Sequence, residues 1–225
     1  MVEVTVILPA YNEEEAIGRV IDEIKSTGLD CQILVVDNNS TDRTSEIALD
    51  KGAAVIREPK QGKGHAVRTG IFYAATPYTI VANADYTYPM GYTVIIHHLL
   101  KVSNADVVMG YRHIKEKDSM TLINSLGNWV LSLMASILYG RRVYDVCTGL
   151  WGFRTEVLQG FKLSSLAFTL EAELFINSIR GGYRIEQIPI AYRARLEGST
   201  PKLKIGDGFR IGWFLIKQRL IYRRR

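Results

Sequence analysis

Four short apolar runs alternate with helical stretches through the first ninety residues, and each run gives way to a polar cluster. Val2–Leu8 leads into Pro9-Ala10-Tyr11-Asn12-Glu13, and Gln32–Val36 into Asp37-Asn38-Asn39-Ser40-Thr41-Asp42. Ala53–Ile56 leads towards Gly62-Lys63-Gly64, and Thr79–Ala82 into Asn83-Ala84-Asp85-Tyr86-Thr87. Short apolar runs bounded by turn chemistry read as buried strands. Between them, Ala16–Ile24 has helical periodicity, with acidic residues before it and Gly28 after it, as helix ends favour. The Asn38–Asp42 cluster offers N-caps for a helix reaching Lys51-Gly52, and a further helix opens at Gly62–His65. This alternation predicts an α/β fold: a Rossmann-like, mostly parallel sheet flanked by helices. Right-handed crossovers then carry every strand's C-terminal end to one edge, so the four clusters converge on one crevice. Open α/β sheets bind their ligands there.

The second half is less regular. A helix is expected over Thr93–Lys101 and a strand over Ala105–Gly110, with Arg112 just past its end. A long apolar-rich helix follows over Ser119–Tyr139, with Asn124 and Asn128 one turn apart. Its longest apolar candidate, Trp129–Tyr139, is too short to span a membrane and carries Ser132 and Ser136. The glycine-punctuated segment Tyr144–Arg154 holds a buried strand, Phe168–Ile179 reads as a helix, and Tyr183–Tyr192 is strand-like. Arg193–Lys204 is basic and reads as a mobile loop. At 225 residues the chain fits one domain, taken as residues 1–205, with residues 206–225 as a basic amphipathic C-terminal helix.

The net charge of +5 is concentrated at the end: Arg210, Lys217, Arg219, Arg223, Arg224 and Arg225 occur there with no acid among them. Interleaved with Phe209, Trp213, Phe214, Ile216, Leu220 and Tyr222, they fit a helix lying on an anionic membrane surface. The same pattern also fits a core or dimer helix. No nucleic-acid recognition motif accompanies the basic tail, so no nucleic-acid partner is expected. Cys31 and Cys147 are far apart and read as reduced core thiols. The four histidines lack zinc-ligand spacing. No secretory signal is read ahead of the first strand. Together these place the chain in the cytoplasm, peripheral on the cytoplasmic face of the membrane.

Asn83 and Asp85 stand two apart in an extended segment, so their side chains share a side. Two such oxygens suit a hard divalent cation, and through it a diphosphate. A strand-end turn in which Asp85 caps the next helix fits the same residues. Gly62-Lys63-Gly64 is neither G-x-G-x-x-G nor a Walker loop; Lys63 there reaches a phosphate or lies in a solvated turn.

Four segments together resemble glycosyltransferase family 2 enzymes of the GT-A fold: Val6–Glu13, Val35–Asp42, Gly62–Gly64 and Asn83-Ala84-Asp85. The later segments look like the polyprenyl-phosphate hexosyltransferases, of the dolichyl-phosphate mannose or glucose synthase type. These are Gly110-Tyr111-Arg112, Leu126-Gly127-Asn128, Asp145 through Phe153-Arg154, and Glu186–Ile190. The resemblance covers nearly the whole chain, and the order and spacing of the segments carry it. It implies that Pro9, Tyr11, Glu13, Asp37, Lys63, Asn83 and Ala84 bind the nucleotide. Asp85 and Thr87 would hold Mg2+ or Mn2+. Arg112, Arg195 and Lys202 would bind the acceptor phosphate, and Asp145 would be a third active-site acid. Asp85, Arg112 and Asp145 form the implied catalytic set.

The implied reaction is inverting transfer of a hexose from a nucleotide-sugar to a polyprenyl or dolichyl phosphate. UDP-glucose and UDP-GlcNAc are favoured as donors over GDP-mannose. A phosphomonoester is mostly dianionic at neutral pH, its second pKa being about 6, so the nucleophile needs no strong base. Two positions depart from the pattern: Asn83 replaces the first acid of an Asp-x-Asp pair, and Asn124 stands where relatives often carry a second basic residue. The alternative reading is a non-catalytic nucleotide-sugar binding protein.

Overall fold

The structure, a computed structural model, describes residues 2–196 and 205–222. Among these, seven strands form one sheet in the order β3-β2-β1-β4-β6-β5-β7. The strands are β1 (Val4–Ala10), β2 (Cys31–Asp37), β3 (Ala54–Arg57), β4 (Tyr78–Ala82), β5 (Val107–Lys115), β6 (Leu150–Arg154) and β7 (Ile185–Tyr192). Pairing is parallel except at β6, which runs antiparallel to both β4 and β5. The mostly parallel α/β expectation therefore holds.

Side chains alternate across the strands, and this builds two cores. On one face Val6, Leu8, Val35 and Ile80 pack with Ile17, Val20 and Ile21 of helix α1 (Glu14–Ser26) and with Ala48 of α2 (Thr44–Asp50). Ile96 and Leu100 of α4 (Tyr92–Val102) complete that layer. On the other face Ile7, Val36, Val81 and Met109 pack with Ala66, Val67 and Ile71 of α3 (Lys63–Tyr73). That layer continues through α5 (Leu122–Tyr139), α6 (Thr155–Gln159), α7 (Leu170–Arg180) and α8 (Ile205–Tyr222). Gly70 lets α3 lie close on the sheet, since a Cβ there would come 2.5 Å from Ile7 Cγ2.

Three features differ from the sequence reading. Arg112 lies inside β5, not past its end: pairing with β7 carries the strand to Lys115, with a register shift between Arg112 and Ile114. The five-residue helix α6, between β6 and the next loop, was not foreseen. Finally, α5 is long and apolar enough to cross a membrane. The apolar span starts seven residues before Trp129, at Leu122, where Thr121 caps the helix by accepting from the Asn124 amide at 3.2 Å. Only Ser132 and Ala135 of α5 are buried; Leu126, Trp129, Val130, Leu133 and Ile137 are exposed. The helix leans on α8, where Gly212 faces Met134 and Leu131 and Tyr139 donates to the Leu215 carbonyl at 3.0 Å.

Candidate active site

The strand ends deliver their loops to one side of the sheet, as their parallel register requires. The loops are stitched to one another. The Asn12 amide donates to Ser40, the Thr41 amide to Asn12, and the Glu13 amide to Thr44 Oγ1 at 2.8 Å. Asn38 ties in the next loop: its Oδ1 accepts from the Gly62 amide at 2.7 Å, and its Nδ2 donates to the carbonyls of Glu58 and Lys60. Asn12, Asn39 and Tyr86 each adopt a left-handed backbone at these strand ends. Asn tolerates that region, but for a bulky residue such as Tyr86 it is strained. Tyr86 is held by Arg193, whose guanidinium carbon lies 4.7 Å over the ring.

A cleft of about 1390 Å³ opens above these loops. Its polar end is lined by Pro9, Tyr11, Glu13, Asn38, Lys63, Asn83, Ala84, Asp85, Arg112, Glu171 and Arg195. Its other end is apolar and runs between α5 and α8, past Ile123, Leu126, Val130, Met134, Phe209, Trp213 and Ile216. Nearly all the residues singled out from the sequence therefore meet in one place. Asp37 and Thr87 are buried behind the wall. Asp37 Oδ1 accepts from the Ser40 amide and shapes the loop, while Thr87 Oγ1 donates to Asp85 Oδ1 at 2.6 Å and orients that carboxylate. Lys202 lies outside the described residues.

The wall is charged in matched pairs. Lys63 Nζ donates to Asn83 Oδ1 at 2.7 Å and to Glu171 Oε1 at 2.5 Å. Gly149 backs this contact, because a Cβ there would sit 2.5 Å from Asn83 Oδ1. Arg195 Nη2 lies 2.6 Å from Asp85 Oδ2. Arg195 was expected on a loose loop, yet it and Arg193 are both fixed by ion pairs, Arg193 through two bonds to Glu23 at 2.9 and 3.0 Å.

Between the two ends sits a buried pair. Arg112 Nε and Nη2 donate to Asp145 Oδ2 and Oδ1 at 2.6 and 2.7 Å, and the Arg112 amide adds a third bond. The side chains are 9% and 2% exposed. Burial pushes the Asp145 carboxyl up, but the charge and hydrogen bonds of Arg112 outweigh it, with help from Asn128, and hold it below the ordinary value. Burial likewise opposes the Arg112 charge, and Asp145 overrides it. Asp145 is thus an ionised anchor, not a proton donor near neutral pH. Burial pushes the Cys147 thiol far up, so it is a neutral wall residue and no nucleophile.

Two wall residues escaped sequence reasoning. Glu171 meets Lys63 across 108 positions of sequence, which no spacing reveals. Asn38 was read as a turn residue, and its reach to Gly62 depends on the sheet bringing two crossovers together.

The sequence profile of glycosyl transferase family 2 matches residues 5–161. The chain belongs to that family. It is a glycosyltransferase. Among its relatives is a dolichyl-phosphate hexose transferase from Haloferax volcanii, 36% identical over 216 residues, covering 96% of this chain and 93% of that one. Glycosyltransferase AglJ of the same organism is 31% identical over 209 residues, covering 91% of this chain and 68% of the relative. The fold is GT-A. It matches glucosyl-3-phosphoglycerate synthase from Mycobacterium tuberculosis, solved with Mn2+, UDP and glucosyl-3-phosphoglycerate. The TM-score is 0.75 at 21% identity, covering 96% of this chain and 79% of that structure. Family and fold thus agree with the resemblance drawn from the motifs, which reached past residue 161 into the second half of the chain.

Proposed function

We propose that this family 2 glycosyltransferase moves a hexose from a UDP-sugar to a polyprenyl or dolichyl phosphate, with inversion at the anomeric carbon. The observation that carries this is the two-ended cleft: a charged wall at the strand ends continues into an apolar channel between α5 and α8. A sugar donor with a small polar acceptor has no use for the channel, whereas a polyprenyl phosphate fills it. The Haloferax relative, a dolichyl-phosphate hexose transferase over nearly its whole length, supports the same acceptor.

The donor end suits a divalent cation bound with its substrate. Among the described residues no cluster of three metal-ligating side chains occurs. Asp85 and Asn83 instead offer one carboxylate and one carboxamide on the same wall, and Mg2+-type sites of that kind are completed by substrate phosphates. Asp85 and Asn83 would hold Mg2+ or Mn2+, with Thr87 orienting Asp85. The cation supplies charge neutralisation on the departing nucleoside diphosphate. Lys63 adds a fixed positive charge beside Asn83. Pro9, Tyr11, Glu13 and Ala84 line the nucleotide pocket, with Asp37 shaping its loop.

Arg112, locked in place by Asp145, meets the acceptor phosphate where the two ends join. An acceptor phosphate oxygen bonds to the anomeric carbon as the bond to the diphosphate oxygen breaks from the opposite side. The dianionic acceptor arrives already deprotonated, so catalysis rests on position and charge. The exposed faces of α5 and α8 rest on the cytoplasmic membrane surface, where Trp and basic residues favour an interfacial helix. Residues 206–225 act there as an attachment to the catalytic domain.

The test is acceptor-dependent nucleotide release with Mg2+ or Mn2+, a short-chain polyprenyl phosphate, and UDP-glucose, UDP-GlcNAc or GDP-mannose in turn. Turnover is expected with a UDP-sugar, to fall at least about 100-fold in Asp85→Ala, and to give a product of inverted configuration by NMR. Nucleotide binding without turnover on any donor would favour a binding protein.

A further inference from the structure

Asp85 spends both of its oxygens inside the protein. Oδ1 takes the Thr87 hydroxyl at 2.6 Å, and Oδ2 takes Arg195 Nη2 at 2.6 Å. The carboxylate is buried, and Arg195 is a quarter exposed. Arg195 keeps its charge there: burial works against it, and Asp85 raises its pKa regardless. A divalent cation arriving on Oδ2 would meet the Arg195 guanidinium 2.6 Å from the same oxygen, and the two positive charges repel. The two therefore compete for one atom.

The backbone that carries Arg195 is tied down just before it. The Arg193 amide donates to the Thr87 carbonyl at 2.9 Å, its guanidinium grips Glu23 of α1, and it stacks on Tyr86. The Ala194 amide donates to Glu116 at 3.2 Å. The strap thus crosses the Asp85-Tyr86-Thr87 turn at a fixed place. Arg195 can change partner by rotating its side chain alone, without moving the strap. It also lines the polar end of the same cleft as Arg112.

We propose that Arg195 is a removable counter-ion for Asp85, and that its release couples the two substrates. Arg195 gives up Oδ2 when a divalent cation arrives with the donor diphosphate. Its guanidinium, still tethered through Arg193, then turns to the acceptor phosphate. This rests on the metal-dependent donor reading above. Two consequences follow. Arg195 weakens binding of the cation, and metal-bound nucleotide strengthens binding of the acceptor phosphate. Linkage makes that coupling reciprocal.

The experiment measures Mn2+ binding directly, by the EPR signal of free Mn2+ in the presence of UDP, for the wild type, Arg195→Ala, Arg195→Gln and Asp85→Asn. Both Arg195 variants are expected to bind Mn2+ about 10-fold more tightly than wild type, within the usual range of coupling between sites. Asp85→Asn is expected to lose most binding. A second arm titrates geranyl phosphate with and without Mn2+ and UDP. Wild type should bind it about 10-fold more tightly with them, and Arg195→Ala equally in both conditions. Equal Mn2+ affinity in wild type and both Arg195 variants, with Asp85→Asn impaired, would overturn the counter-ion role and leave the metal reading standing. Mn2+ binding that Asp85→Asn does not alter would overturn both. The Gln variant keeps the side chain's bulk and polarity, so a fold defect in the Ala variant does not decide the result.

Discussion

The two ends of the cleft are made in opposite ways. The polar end is assembled from loops that follow β1, β2 and β4 and precede α3, and hydrogen bonds cross-link those loops: Asn12 to Thr41, Glu13 to Thr44, Asn38 to Gly62. Its charges are paired before any substrate arrives, Lys63 with Glu171 and Arg195 with Asp85. The apolar end is the space between two helices, one of which buries only Ser132 and Ala135. A ligand with fixed polar atoms needs a rigid complementary wall. A uniform hydrocarbon chain needs only a groove of the right greasiness. The comparison implies that damage at the polar end is felt by the fold, while damage on the outward faces of α5 and α8 is felt only by the surface they rest on.

The sharpest way to break this comparison is at the junction. Asp145→Ala leaves the buried Arg112 guanidinium uncompensated, which typically costs about 3–5 kcal/mol. In a domain this size that lowers the melting temperature by on the order of 10 °C. The pH dependence has a definite sign. Asp145 has a folded pKa that Arg112 holds below the ordinary aspartate value of about 3.9. Its stabilisation is therefore complete above about pH 4 and is lost as pH falls through the folded value. Acid unfolding of the wild type should steepen below pH 4, and Asp145→Asn should flatten that limb. Identical acid limbs in circular dichroism would remove Asp145 from the account.

A smaller effect is expected at Asn38. Its amide satisfies one backbone N–H and two carbonyls at the entry to α3. Asn38→Ala removes three bonds to partly buried backbone groups, and a typical hydrogen bond contributes about 0.5–1.5 kcal/mol. Because the Gly62 loop carries Lys63, UDP binding should weaken along with stability. Calorimetry on one sample reads both, and a loss of stability with unchanged UDP affinity would separate the loop from the donor wall.

The difference between the ends also explains what the sequence disclosed. Strand runs, their closing clusters and the Asn83-x-Asp85 pair are local patterns, legible because side-chain direction repeats along a strand. Pro9, Tyr11, Glu13, Lys63, Asp85 and Arg112 all reach the cleft as expected. What stayed hidden depends on pairing across long separations. Arg112 sits inside a strand only because β7 pairs with β5 through the register shift at that point. Glu171 finds Lys63, and Arg193 finds Glu23, across 108 and 170 residues. The apolar reach of α5 was hidden differently, although the helix itself was legible over Ser119–Tyr139. Asn124 and Asn128 break the apolar run in sequence, yet they line the cleft while Trp129 and Ile137 stay exposed outside it.

The outward face of α5 gives the smallest effect on the fold and the cleanest contrast. Trp129 is 60% exposed and Ile137 73% exposed, and neither lines the cleft, so replacing both with serine removes little that the folded chain has buried. Substitutions at such sites usually change stability by no more than about 0.5 kcal/mol. Calorimetric melting and UDP affinity should therefore match the wild type. Interfacial binding scales with buried apolar area and with attraction to anionic lipid. Co-sedimentation with vesicles containing phosphatidylglycerol should accordingly fall several-fold in the double serine variant. It should fall again when Arg223, Arg224 and Arg225 are replaced by glutamine, the basic end that the sequence places beside α8. Vesicle binding that survives both changes would sever the apolar end from the membrane and make its exposed faces an interface with another protein surface. If vesicle binding falls together with melting temperature, the outward face is part of the core after all, and the contrast between the two ends fails.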